Sequence, residues 1–195
     1  MEHRVIKIVH YHDLEKLSEA VTKRGGFVIY LVRDPRGLIP SRSRLHLDKG
    51  IEFNTSAYTQ KLCRNYERNL KYLEKLNFEG NLYIRSKVIV IRYEDFAYAP
   101  TEMTTKLYAF LNRNVSKEVH SYIKNYTNGP TKNSRAIADA WRQRSHFEKV
   151  EYIQEKCGKV HEMLGYSLLQ SEHDMKQDKV SVVKDVRINV HYLRP

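Results

Sequence analysis

Within ten residues this chain sets Arg33, Arg36, Ser41 and Arg42, in the stretch Leu-Val-Arg-Asp-Pro-Arg-Gly-Leu-Ile-Pro-Ser-Arg-Ser-Arg that spans residues 31–44. An apolar run ends at Arg33, Asp34 can cap a helix and Pro35 can start it, so a guanidinium stands at a strand end beside a helix N-terminus. Backbone N–H groups, planar guanidinium donors and a hydroxyl eight residues after Arg33 suit the gripping of a phosphate. Two further residues could act on such a ligand. Lys7, in the apolar run Val-Ile-Lys-Ile-Val, can neutralise developing negative charge, and His10 can accept a proton near neutral pH. Glu94 and Asp95 in Arg-Tyr-Glu-Asp read as partners for arginines and caps for the next helix rather than as catalysts. Arg135, in Lys-Asn-Ser-Arg ahead of Trp141-Arg142, adds phosphate donors on a loop, and Trp141 reads equally as a core anchor.

Positioning these side chains takes an alternation of strands and helices. Residues 5–9 read as a short strand, 13–22 as a helix with Leu14, Leu17 and Val21 inward, and 27–32 as a second strand. Strand, helix, strand is a βαβ unit, which implies a parallel sheet. Residues 87–92 form a third, uninterrupted apolar strand of central type. The fold class expected is α/β, with a three-layer parallel sheet. Residues 46–59 read as irregular, 58–76 as a long amphipathic helix, and Pro40 as a break in the helix just before Ser41. Pro100 opens another helix, Val119, Tyr122 and Ile123 mark a further one, and Asn128-Gly129-Pro130 is a turn. The last helix, 147–164, buries Val150, Ile153, Cys157, Val160 and Leu164 and ends at Gly165. Residues 1–170 are one expected domain and 171–195 a polar tail with Val186, Ile188, Val190 and Tyr192 in alternation, an edge strand or an extension.

Composition bounds the partners. The 195 residues suffice for one domain, and no stretch of eighteen apolar residues or secretory leader is encoded in them. A net charge of +11 calls for an anionic partner, and the cations are spread along the chain rather than massed. Only Cys63 and Cys157 occur, without metal-ligand spacing, so no metal is expected; the two either bridge or remain buried thiols. Asn54-Thr55-Ser56, Asn114-Val115-Ser116 and Asn125-Tyr126-Thr127 are glycosylation acceptors. Three exceed the roughly one that eleven asparagines would supply by chance, a hint of luminal life.

Val-Arg-Asp-Pro-Arg followed by Ser-Arg resembles the 3′-phosphate motif of the carbohydrate sulfotransferases. Arg-Tyr-Glu-Asp with the following Pro and Tyr-Ala-Phe-Leu, the Lys-Asn-Ser-Arg to Trp-Arg segment, and Met-Leu-Gly-Tyr at residues 163–166 resemble later blocks of the same family, in order, over residues 4–166. The resemblance implies a P-loop-nucleotide-hydrolase-like sulfotransferase fold that here lacks its first strand and Gly/Ser-rich loop. It implies transfer of a sulfuryl group from 3′-phosphoadenosine 5′-phosphosulfate to a sugar hydroxyl of a glycan. Arg33 and Ser41 would hold the 3′-phosphate with Arg42 and Arg135 in support. Lys7 would face the sulfonate and His10, where the family usually has Arg, would take the acceptor's proton. It further implies a glycan acceptor, a homodimer as one assembly state, and the Golgi lumen if an upstream anchor exists. A non-catalytic remnant that binds the donor nucleotide is the alternative. A basic nucleic-acid-binding α/β protein is a third reading, for which no aromatic-and-basic surface motif is found.

Overall fold

A computed structural model describes residues 4–9, 12–127, 133–186 and 192. It begins with an exposed irregular segment, 4–9, and then α1 (Leu14–Thr22), whose N-cap Asp13 accepts the Lys16 N–H. Gly25, at φ +73°, turns the chain into β1 (Val28–Val32), and α2 (Pro35–Leu47) follows after two residues. The 24-residue α3 (Thr55–Phe78) and short α4 (Leu82–Arg85) lead to β2 (Val88–Arg92). Thereafter the chain is helical: α5 (Tyr93–Tyr98), α6 (Pro100–Phe110), α7 (Lys117–Thr127), α8 (Ser134–Arg144), α9 (Phe147–Lys156), α10 (Gly158–Leu164) and α11 (Glu172–Lys176).

The two strands pair in parallel, Val28 opposite Val88 and Val32 opposite Arg92. All five β2 residues are buried, as its unbroken β-branched run leads one to expect. Val28, Val32, Val88 and Val90 pack into one core with Leu62, Tyr66, Leu70 and Leu73 of α3 and with Val160 and Leu164 of α10. Spacing of three and four residues along α3 puts its apolar side chains on that single stripe. A Cys63–Cys157 disulfide, with Cα atoms 5.2 Å apart, ties α3 to the junction of α9 and α10, which resolves the choice between bridge and thiols.

Several sequence expectations change. Residues 5–9 are not a strand: Val5 is 97% and Ile6 79% exposed. A strand needs a neighbour for its backbone groups, and no described strand lies alongside. Ile29 (43%) and Leu31 (57%) are likewise open on one face of β1, so the described sheet is a small parallel pair rather than a full three-layer sheet. Pro40 does not interrupt α2, which runs through it to Leu47. Tertiary burial of Arg36 and Ile39, in the turn ahead of it, holds the helix despite the missing N–H. The irregular stretch is shorter than 46–59, because α3 starts at Thr55 under an Asn54 cap. The expected 147–164 helix is broken at Cys157, where φ −110° departs from helical geometry, and Gly165 closes α10 at φ +67°. Asn128-Gly129-Pro130, Ile188 and Val190 lie outside the described residues. The described tail packs on the core, with Met175, Val182 and Val186 buried, an antiparallel bridge from Tyr166 to Val183 and a parallel one from Val90 to Tyr192.

Candidate functional site

The turn from β1 into α2 is built from its backbone outward. Asp34 caps α2 by accepting the Arg36 N–H at 2.8 Å, and its carboxylate also takes the Arg36 guanidinium at 2.7–3.1 Å. The Asp34 N–H donates to Glu94 Oε1 at 3.1 Å, and the Arg33 N–H donates to the Tyr66 hydroxyl at 3.3 Å. Arg36 is fully buried. Its guanidinium donates to Gln154 Oε1 and the Ser167 carbonyl and sits 5.1 Å from the Trp141 ring, so Arg36 is structural and so is the buried Trp141. Gly37 is needed at this crossing, because a Cβ there would come within 2.9 Å of the Trp141 ring.

With Arg36 turned inward, Arg33 faces the other way. Arg33, Leu38, Ser41, Arg42, Arg44, Leu45 and Asp48 line one cleft of about 310 Å³. The Arg33 guanidinium lies over the Tyr93 ring at 4.6 Å and its side chain makes no hydrogen bond among the described residues; its Nε is buried without a partner. A buried donor left open beside two more arginines and a hydroxyl is arranged to receive an anion.

Behind the turn lies a buried polar cluster. Glu94 Oε2 accepts the Tyr166 hydroxyl at 2.8 Å, and His161 Nε2 is 3.6 Å from Asp34 Oδ1, too long for a hydrogen bond. Burial first, and then the Asp34 charge, push the Glu94 carboxyl up to about 7. Asp34 is buried as deeply, yet the Arg36 guanidinium beside it holds its carboxyl well below the usual range. Burial lowers His161 and raises Tyr166. Two neighbouring carboxylates thus divide the work: Asp34 keeps the charge and Glu94 tends to keep a proton.

The remaining sequence candidates fall elsewhere. Lys7 is on the exposed 4–9 segment rather than a strand, and His10 lies outside the described residues. Arg135, on the exposed first turn of α8, stacks 4.6 Å over Tyr98, whose hydroxyl donates to Asp139; it is not among the residues that line the cleft. Asp95 pairs with Arg92 at 2.8 Å as expected, whereas Glu94 meets no arginine among the described residues. Arg44 and Tyr93 were not singled out from sequence. Arg44 follows Ser41 by three residues on one helix and so shares its face, a signal that could have found it. Tyr93 meets the Arg33 guanidinium from the end of β2, a long-range contact that spacing does not encode. Among the described residues no cluster of three or more His, Cys, Asp or Glu could hold a metal, and no helix is long and apolar enough to cross a membrane.

Comparison with known proteins places the chain in a family. Residues 1–160 match the family model described as a sulfotransferase domain. The chain is 28% identical to human carbohydrate sulfotransferase 1 over 205 residues, covering 93% of this chain and 48% of that protein. It is 26% identical to human carbohydrate sulfotransferase 6 (93% of this chain, 52% of that protein) and 26% to mouse carbohydrate sulfotransferase 4 (87% and 50%). The chain therefore spans about half the length of these relatives. No solved structure matches. A domain match over residues 1–160, most of the chain, leads to one conclusion: the chain belongs to the sulfotransferase domain family.

Proposed function

We propose that the Arg33–Ser41 cleft binds the 3′-phosphate of 3′-phosphoadenosine 5′-phosphosulfate, and that the protein takes part in sulfuryl transfer from this donor to a sugar hydroxyl of a glycan. The observation that carries the reading is the convergence of Arg33, Ser41 and Arg42 on one cleft with an unpartnered guanidinium Nε. The likeness to carbohydrate sulfotransferases supports the glycan acceptor. In the reaction the acceptor oxygen bonds to sulfur, the bond from sulfur to the bridging 5′-phosphate oxygen breaks, and the acceptor's proton leaves. Lys7 would stabilise charge on the bridging oxygen, from a segment that must be drawn to the site from its exposed position, and His10 would take that proton. Arg135 would join only by leaving its Tyr98 stack.

Donor binding without turnover is the second reading. It is favoured by one observation: no Gly/Ser-rich loop follows a strand in these residues, and such a loop supplies the N–H donors for the 5′-phosphosulfate. We assign both readings to an oxidising lumen, the Golgi by family likeness. The Cys63–Cys157 bridge and the exposure of Asn54, Asn114 and Asn125 in their acceptor triplets support that assignment and glycosylation.

Calorimetry with the purified chain tests the cleft. Adenosine 3′,5′-bisphosphate should bind about tenfold to a hundredfold more tightly than adenosine 5′-monophosphate, the worth of one charge-assisted phosphate contact. Equal affinities would remove the assignment. Radiolabelled donor with galactose- and N-acetylglucosamine-terminated acceptors separates the two readings, since transfer supports the first and binding alone the second.

A further inference from the structure

Glu94 stands out among the buried titratable groups because its geometry leaves it without a counter-charge. It is 1% exposed, and its two oxygens accept one backbone N–H, from Asp34, and one hydroxyl, from Tyr166. It forms no ion pair among the described residues. The charges around it are already committed. From α2 and its cap, Asp34 and Arg36 neutralise each other at 2.7 Å. From β2 and α5, Arg92 and Asp95 do the same at 2.8 Å, with the Tyr192 hydroxyl donating to Asp95. From α10 comes His161, which burial holds neutral, and from the segment after it Tyr166; Tyr66 of α3 and Tyr98 of α5 are the remaining titratable neighbours. An ionised Glu94 would therefore be one uncompensated negative charge inside the protein.

That charge would sit directly behind the anion cleft. Asp34, whose N–H Glu94 holds, is the residue after Arg33, and Tyr93, over which the Arg33 guanidinium lies, is the residue before Glu94. The carboxyl thus holds the Arg33 turn at Asp34, while its chain neighbour Tyr93 lies under the Arg33 guanidinium. We infer that Glu94 is a positioning residue that couples anion binding in the Arg33–Ser41 cleft to retention or uptake of one proton. The inference rests on the cleft being the donor's phosphate site.

In its neutral form Glu94 fixes the Asp34 N–H without opposing an incoming phosphate. When it ionises, its field lowers the attraction of the cleft for an anion, and by linkage the bound anion favours the protonated carboxyl. The carboxyl is pushed up to about 7, so the coupling operates across neutral pH, where an ordinary glutamate would already be fully ionised.

The test is the pH dependence of adenosine 3′,5′-bisphosphate affinity, measured by calorimetry on the wild type, Glu94→Gln and Tyr166→Phe. The ligand's own phosphate titration, near pH 6, is common to all three proteins. From pH 6 to 8.5 the wild type should lose on the order of tenfold in affinity relative to Glu94→Gln, the effect of one nearby unit charge at intermediate dielectric. At pH 7.5 the wild type should take up a fraction of a proton on binding beyond that of Glu94→Gln, read from the heat in two buffers of different ionisation enthalpy. Tyr166→Phe removes a donor to the ionised carboxylate, so its affinity loss should move to higher pH, which a merely structural role would not produce. Should Glu94→Gln fail to fold, the Tyr166→Phe shift decides. Parallel pH profiles in the wild type and Glu94→Gln, or an unmoved profile in Tyr166→Phe, overturn the coupling while leaving the cleft intact. Absence of bisphosphate binding at every pH overturns the cleft reading and the coupling together.

Discussion

The Arg33 guanidinium rests on the Tyr93 ring and leaves its Nε open, so it contributes to binding more than to folding. Arg33→Lys keeps the charge and loses the planar fork. It should weaken bisphosphate binding about tenfold or more with little change in melting temperature, and calorimetry beside a thermal melt checks both. Glu94 behaves in the opposite way, because it is buried and unpaired. Its carboxyl is raised from 4.5 to about 7, so the folded state binds its proton more tightly than the unfolded state does. The stability this confers is full below about pH 4.5 and is lost as pH rises through about 7. The loss is on the order of 1–3 kcal/mol for a shift of this size. Asp34 is lowered from 3.8, so its contribution is present above that pH and disappears on acidification. Between pH 5 and 7.5 the melting temperature of the wild type should fall relative to that of Glu94→Gln, a difference in which the opposite contribution of the buried His161, common to both proteins, cancels.

At the scale of elements, α2 carries the site and the strand ends of β1 and β2 aim it. The helix is neither strongly amphipathic nor free of proline, and it survives because Asp34 and Pro35 start it and Arg36 anchors it to Gln154 and the Ser167 carbonyl. Gly165 ends α10 in the left-handed region, where a Cβ would lie 2.3 Å from the Asp185 carbonyl oxygen and 2.7 Å from that of Lys184. Gly165→Ala meets both the backbone penalty and this collision. It should cost about 2–4 kcal/mol, seen as a lower denaturation midpoint. Because Arg92 donates to the Leu164 and Lys184 carbonyls, the effect should reach the tail's packing on β2.

For the molecule as a whole, the disulfide joins residues 94 apart in sequence, from the middle of α3 to the last helical layer. Closing a loop of that length removes about 4–5 kcal/mol of unfolded-state entropy. Cys63→Ser with Cys157→Ser, or reduction, should lower the unfolding free energy by a comparable amount, read from urea denaturation curves. The exposed face of Ile29 and Leu31, with the 4–9 segment lying free of it, marks where the described sheet is thinnest. The chain matches about half of each relative's length, so sulfuryl transfer by the whole site remains a proposal while the phosphate cleft can be tested on this chain alone.

Local chemistry is legible in the order of the residues. Arg33, Ser41 and Arg42 share a short segment, so a strand, a cap and a helix suffice to bring them together, and the sequence by itself determined that they line one cleft at the end of β1. It also determined α1, α3, β2, α6 and the Gly165 terminus, whose signals are periodicity and caps within a few residues. Only the tertiary structure decided which arginine faces in and which faces the cleft. Arg36 turns inward because Gln154 and Ser167, more than a hundred residues away, accept its donors. It likewise decided that α2 runs through Pro40, that 5–9 is no strand, that Arg135 stacks on Tyr98 and that Glu94 meets a tyrosine instead of an arginine. In each case the deciding partner is distant along the chain, and neither spacing nor propensity carries information about it.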